Sequence, residues 1–141
     1  MTLNRRSLIL AVVFGHLLLT SIHGMVHAVV PVFPTGRNAA LAAVFLYILP
    51  VLGAGLVIYD RRVIGTTLLL SAGIAGLTFE GVFHFVIANP DHVAHISSHR
   101  TAFGLTAVLT TASNILVLAA GYLSGRDVWH STNDNGSTVE G

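Results

Sequence analysis

Four long runs of apolar residues, separated by short polar breaks, dominate the pattern along the chain. They extend over residues 8–30, 39–59, 63–88 and 101–123. A hydrocarbon core of about 30 Å requires about 20 helical residues, so each run is long enough to cross a membrane once. The breaks carry turn residues, including Pro34, Asp60 and Pro90. The pattern predicts an all-α, integral-membrane four-helix bundle over residues 1–125, followed by a polar tail at 126–141 that we expect to be disordered.

The arginines are distributed unequally between the two predicted sides of the membrane. Five lie on the side of the termini, at Arg5, Arg6, Arg61, Arg62 and Arg126. Arg37 and Arg100 lie on the other side. Because basic residues in short loops stay in the cytoplasm, we expect a multi-pass protein of the cell membrane with both termini cytoplasmic.

The first span also has features of a cleavable signal peptide. Arg5 and Arg6 precede an apolar stretch, and Val26-His27-Ala28 has the small residues of a cleavage site. We favour an uncleaved span, because the apolar pattern continues beyond Ala28 and the rest of the chain is itself of membrane type. Cleavage there would remove three histidines.

Composition supports the membrane class and removes several kinds of chemistry. Of the 141 residues, 53% are hydrophobic and only 9% are charged, whereas about a quarter are charged in soluble domains. The chain has no lysine, which excludes an internal Schiff base, and no cysteine, which excludes thiolate metal ligands. A formal charge of +1 does not indicate nucleic-acid binding. The expected partners are the lipid bilayer and either other membrane subunits or further copies of the chain.

Two predicted spans carry polar residues on one helical face. In the first span the spacing is four, three and four residues, at His16, Thr20, His23 and His27. In the third span small residues are followed by ionisable ones, at Gly73, Gly76, Glu80 and His84. Polar side chains inside a membrane turn towards other helices, and glycine allows close helix approach. We therefore expect these two faces to point into the bundle.

The depths of these residues coincide. At a rise of about 1.5 Å per residue, His27 and His84 lie about 5 Å from the outer ends of their spans. His23 and Glu80 lie about 10–12 Å from those ends. The two pairs are thus predicted to form two polar layers. His16 lies deeper and has no obvious partner in the sequence, so a hydrogen bond to a backbone carbonyl is its simplest role.

More histidines precede the last span, at His92, His95 and His99. Their spacing and the distance to the end of the span predict a short interfacial helix on the outer side. The last span itself supplies hydroxyl and amide groups for hydrogen bonds between helices, at Thr106, Thr110, Ser113 and Asn114.

Imidazole and carboxylate together are typical ligands of zinc, copper and iron. The leading hypothesis is therefore a transition-metal site near the outer face, in a small oxidoreductase or a metal-handling subunit. Its candidate ligands are His23, His27, Glu80, His84, His95 and His99.

Three alternatives remain open from the sequence. One is a haem b electron carrier with His27 and His84 as axial ligands. Another is a channel-like proton relay through His16, His23 and Glu80. The third is an assembly subunit in which the polar groups only join helices. The sequence identifies no substrate or reaction.

Overall fold

A computed structural model of the chain describes residues 4–30, 32 and 36–136, with side chains described to residue 126. All regular structure in this part of the chain is helical, and it includes four helices that are long and apolar enough to cross a membrane. These helices are α1 (Arg5–Val29), α2 (Gly36–Ile58), α3 (Arg62–Phe85) and α4 (Arg100–Gly136). The four predicted spans are therefore confirmed as helices.

The helix α4 is longer than the predicted span. It is helical to Gly136, whereas the apolar run ends at residue 123, so it includes most of the segment assigned to a polar tail. Residues 137–141 of that tail lie outside the described residues.

Both middle helices contain a π-helical turn. In α2 it covers Val44–Ile48, directly before the segment that contains Pro50, and in α3 it covers Leu77–Val82. A π-helical turn changes which carbonyl each amide reaches, and it is frequent at functional sites. In α3 the amide of Phe83 donates to the carbonyl of Thr78, five residues back. These turns determine which backbone carbonyls are open to side chains.

The helix α4 packs along both α1 and α3. The contact with α3 is close at two glycines: a Cβ atom at Gly73 would lie 2.7 Å from the Cβ of Leu118, and one at Gly76 would collide with the side chain of Asn114. The predicted small-residue face of the third span therefore meets the last helix. Away from the polar layers the core is aliphatic, with Leu69 and Val117 fully buried.

An exposed ion pair joins the start of α1 to the turn between α2 and α3. Arg6 Nη2 lies 3.0 Å from Asp60 Oδ1, and Arg62 Nη2 lies 3.3 Å from the same oxygen. The hydrogen bond from Arg6 holds the pKa of the Asp60 carboxyl below its usual value.

The short helix predicted before the last span is a single 3-10 turn at Val93–His95. Side chains occupy the backbone amides that a longer helix would use: Asn89 Oδ1 accepts from the Asp91 amide at 2.7 Å, and His92 Nδ1 accepts from the Ala94 amide at 3.1 Å. Ile96 then packs in a buried apolar cluster with Val30 and Phe103. The segment thus lies over the ends of α1 and α4.

Candidate metal centre

Three buried histidines from two helices meet at one point. His23 and His27 lie one turn apart on α1, and His84 lies just beyond the π-helical turn of α3. Their Nε2 atoms converge, with 3.2 Å between His23 and His27, 3.2 Å between His23 and His84, and 3.5 Å between His27 and His84. The described residues thus contain a buried three-histidine group that can hold a metal ion.

The opposite ring nitrogens, the Nδ1 atoms, are all held by the protein. His27 Nδ1 donates to the carbonyl of Val32, and His84 Nδ1 donates to the carbonyl of Phe79 at 3.1 Å. His23 Nδ1 lies 2.8 Å from Thr106 Oγ1. Because Thr106 uses its own proton on carbonyls of α4, its oxygen accepts from His23.

These contacts fix the tautomers. A carbonyl only accepts hydrogen bonds, so the neutral rings of His27 and His84 carry their protons on Nδ1. The Thr106 hydroxyl, whose proton goes to its own helix, sets the same tautomer for His23. Each ring then presents an unprotonated lone pair at Nε2. Three lone pairs that face one another across 3.2–3.5 Å repel unless a positive charge lies among them. A hydrogen bond from Nδ1 to a carbonyl or hydroxyl is also the usual way in which proteins orient a metal-binding histidine.

The spacing of the nitrogens suits a tetrahedral ion. Metal–nitrogen distances of about 2.0–2.1 Å at tetrahedral angles place ligand nitrogens about 3.3 Å apart. The observed separations of 3.2, 3.2 and 3.5 Å bracket that value. An ion at this point would have three protein ligands and one open position.

Glu80 lies beside the group. Its Oε2 atom is 3.4 Å from His23 Nε2 and has no hydrogen-bond partner among the described residues, although the Glu80 side chain is buried, at 6% exposed. Glu80 is not among the three residues whose ligand atoms all lie within 4.8 Å of one another. It therefore adjoins the three-histidine group on the side of His23.

Phe103 of α4 closes the site on another side. It is fully buried, and its ring centroid lies 5.0–5.3 Å from the centroids of His23, His27 and His84. Sequence reasoning missed this residue, since a phenylalanine in an apolar span carries no signal that separates it from other core residues. Thr106, one turn further along α4, was predicted as a hydrogen-bond partner and bonds to His23.

Glu80 lines two cavities. A small one of about 60 Å³ lies towards the 89–99 segment and is lined by Asn38 and Asp91 as well as Glu80, His27 and His84. Burial raises the pKa of the Asp91 carboxyl. A larger cleft of about 260 Å³ lies between α1 and α2 and reaches His23, His27 and Glu80. The site is thus bordered by open space on two sides.

His16 lies apart from the three-histidine group. Its Nε2 donates to the carbonyl of Leu46 at 2.9 Å, and its Nδ1 bonds with Ser113 Oγ at 2.9 Å. The structure therefore gives it the backbone partner expected from the sequence.

The remaining histidines named from the sequence lie outside the three-histidine group. His95 is exposed and its Nδ1 donates to the carbonyl of Asn89 at 2.7 Å, while His99 is exposed at the position before α4. Their predicted participation in a metal site is not tested by this arrangement. The side chain of His130 lies outside the described residues.

Comparison of the chain with protein-family models, with curated proteins and with solved structures finds no match. The helices and the site nevertheless define a class: a helical protein with four candidate membrane spans and a buried histidine group able to hold a metal.

Proposed function

We propose that this chain is a multi-pass membrane protein that binds one transition-metal ion through the Nε2 atoms of His23, His27 and His84. The observation that carries the proposal is the convergence of three unprotonated nitrogens with their Nδ1 atoms held by hydrogen bonds. Burying these nitrogens face to face is unfavourable without a cation, and binding a cation turns the repulsion into coordination.

Three histidine ligands and an open fourth position are typical of catalytic or transfer sites, whereas purely structural zinc sites are closed by four protein ligands. The unpartnered oxygen of Glu80 lies beside the three-histidine group, 3.4 Å from His23 Nε2. Glu80 would either complete the coordination after a side-chain movement or accept a hydrogen bond from a metal-bound water. Either role suits a small oxidoreductase or a metal-handling subunit. Zinc, copper and ferrous ions all accept imidazole ligands.

The geometry favours an ion over haem b. In a haem with two axial histidines, the macrocycle lies between the two rings. Here the Nε2 atoms of His27 and His84 are 3.5 Å apart, and His23 Nε2 is 3.2 Å from each. The third histidine occupies the space that the macrocycle would need.

A proton relay is the second candidate. A proton on His23 Nε2 would also relieve the repulsion among the three rings, with Glu80 Oε2 at 3.4 Å as its counter-charge. In that case the group would pass protons and would not retain metal.

Cobalt titration separates these candidates. Metal-stripped protein in detergent should take up about one equivalent of Co²⁺, with the intense visible bands of tetrahedral cobalt, and Zn²⁺ should displace it. His84→Ala should abolish the bands, whereas the exposed His95→Ala should leave them unchanged. Absence of cobalt uptake by a folded wild-type protein would contradict the metal proposal. Proton flux into vesicles that depends on Glu80 would then favour the relay, and a Soret band in the purified protein would favour haem.

We also propose that both termini and Asp60 face the cytoplasm of the cell, with the metal site near the outer face. The unequal distribution of the arginines between the two sides of the membrane supports this orientation. Because the chain has no native cysteine, single cysteines at Asp60 and at His95 can be labelled with a membrane-impermeant maleimide. Labelling of whole cells at position 60 and not at position 95 would show that the chain has the opposite orientation.

A further inference from the structure

The cleft between α1 and α2 arises because the two helices separate on the side of the metal centre. The first segment of α2, Gly36–Ala43, contains no buried residue. The last segment, Leu49–Ile58, contributes four buried residues and packs against α1 and α3. The separation leaves a cleft of about 260 Å³ that ends at His23 and Glu80.

Two buried oxygen atoms on this cleft have no hydrogen-bond partner in the part of the chain that the structure describes. They are Thr20 Oγ1 and Glu80 Oε2, and each residue is 4% exposed. Threonines in helices commonly donate to the carbonyl four residues back, as Thr67 and Thr78 do here, but Thr20 does not. Leaving a buried polar group unpaired costs about 1–3 kcal/mol, so both oxygens indicate a missing partner inside the cleft.

The walls of the cleft indicate what kind of partner fits. They are formed mainly by small or apolar side chains: Gly24, Ala39, Ala42, Ala43, Leu46 and Tyr47. No arginine lines the cleft among the described residues, so it offers no counter-charge to an anion. Since its walls belong to two helices of membrane-spanning length, a molecule dissolved in the bilayer can reach it from between them.

We propose that this cleft binds an uncharged, lipid-soluble molecule through a hydroxyl group. A hydroxyl donates one hydrogen bond, which Glu80 Oε2 can accept, and its oxygen can accept one from Thr20. The apolar remainder of the molecule would lie along the alanines of α2. This proposal rests on the metal-centre proposal and deepens it, since it places the ligand's hydroxyl beside Glu80 and His23 at the edge of the three-histidine group.

Photolabelling in lipid nanodiscs tests the proposal. The probe is a long-chain alcohol with a diazirine close to its hydroxyl group, and its control is the corresponding diazirine alkane. Mass spectrometry of the labelled peptides should place the alcohol in residues 20–27 and 39–47. Labelling by the alkane should be about tenfold weaker, because it cannot make the hydrogen bonds of the hydroxyl group. Equal labelling by the two probes, or no labelling of these residues, would show that the cleft holds only lipid chains or water.

Two pairs of variants refine this test. Gly24→Leu fills the cleft, since a Cβ atom there meets only Tyr47 Oη at 3.9 Å. Gly15→Leu lies on the same helix, where a Cβ atom meets nothing within 4 Å, and is the matched control. Gly24→Leu and Thr20→Val should reduce alcohol labelling, while Gly15→Leu should not. Normal labelling in both cleft variants, with helicity retained by circular dichroism, would contradict the proposal.

The labelling needs no metal, so it is measured on both stripped and cobalt-loaded protein. Retained labelling in a protein that binds no cobalt would contradict the metal centre alone. Cobalt binding without labelling of the cleft would contradict the hydroxyl-ligand proposal alone.

Discussion

The face of α1 carries two buried histidine regions that differ in what their ring nitrogens contact. At His16 both nitrogens have protein partners, Leu46 and Ser113, each at 2.9 Å. In the three-histidine group each Nδ1 has a protein partner, but the Nε2 atoms face only one another and Glu80. Burial is similar in both regions, so burial does not distinguish a structural histidine from a candidate ligand. What distinguishes them is whether a ring nitrogen is left without a hydrogen-bond partner outside the three-histidine group.

The π-helical turns explain part of this difference. Pro50 has no amide proton for the carbonyl of Leu46, four residues before it, and His16 supplies the missing donor. In α3 the amide of Phe83 reaches Thr78, which leaves the carbonyl of Phe79 open to His84 Nδ1. The carbonyl of Leu46 accepts a hydrogen bond from His16, whose other ring nitrogen also has a protein partner. The carbonyl of Phe79 orients the ring of His84, whose Nε2 atom stays available to a metal ion.

The largest loss of metal affinity is expected on replacing His23, because its Nε2 atom lies nearest to those of both other rings. His23→Ala should weaken cobalt or zinc binding by about 100- to 1,000-fold, since each ligand of a four-ligand site contributes about 2.5–4 kcal/mol. Competition with a chromophoric chelator measures the affinity. His16→Ala on the same helix should bind metal with unchanged affinity. Equal losses in the two variants would remove the distinction between the regions.

The second-largest effect is expected at His16, on the free energy of unfolding. His16→Ala removes the donor that His16 gives to the carbonyl of Leu46 and creates a cavity, so the free energy of unfolding should fall by about 2–4 kcal/mol in a denaturing-detergent titration. Pro50→Ala restores an amide donor four residues after Leu46. In the His16→Ala background it should recover about 1 kcal/mol.

A double-mutant cycle with the two single variants isolates this coupling. Strictly additive effects would mean that His16 does not serve the carbonyl that Pro50 leaves open.

The sequence predicts the coarse architecture and the faces that meet, because apolar run length and helical periodicity are local properties. It also places His27 beside His84 and His23 beside Glu80 from depth alone, and both pairs lie within 3.5 Å. It does not predict the π-helical turns, because no residue type requires one. Without those turns the rotation of His84 about α3 cannot be derived. The sequence names His23 and His84 as ligands of one site, but it does not predict that the Nε2 atom of His84 lies nearer to that of His23, at 3.2 Å, than to that of His27, at 3.5 Å. Nor can a run of alanines in α2 indicate that this segment stands away from α1.

Glu80 tests whether the open side of the three-histidine group is part of the site. Glu80→Gln preserves the shape of the side chain and removes its charge, so metal affinity should fall by about 10- to 100-fold while the helical content is retained. Isothermal titration and circular dichroism measure the two quantities. If Glu80 were only a hydrogen-bonding group between helices, glutamine would replace it and the metal affinity would match that of the wild-type protein.

The smallest effect should come from Thr106, which contacts a candidate ligand and not the metal position. Thr106→Val keeps the volume and removes the oxygen that accepts from His23 Nδ1 at 2.8 Å. Without this acceptor the His23 ring can rotate or adopt the other tautomer, so metal affinity should fall by about tenfold. Thr110→Val is the matched control, because the Thr110 hydroxyl bonds only to its own helix, at the carbonyl of Thr106. Cobalt spectra of the two variants should show altered bands for Thr106→Val alone, since only that change reaches a ligand of the ion. Identical affinities would mean that packing against Phe103, and not the hydrogen bond, orients His23.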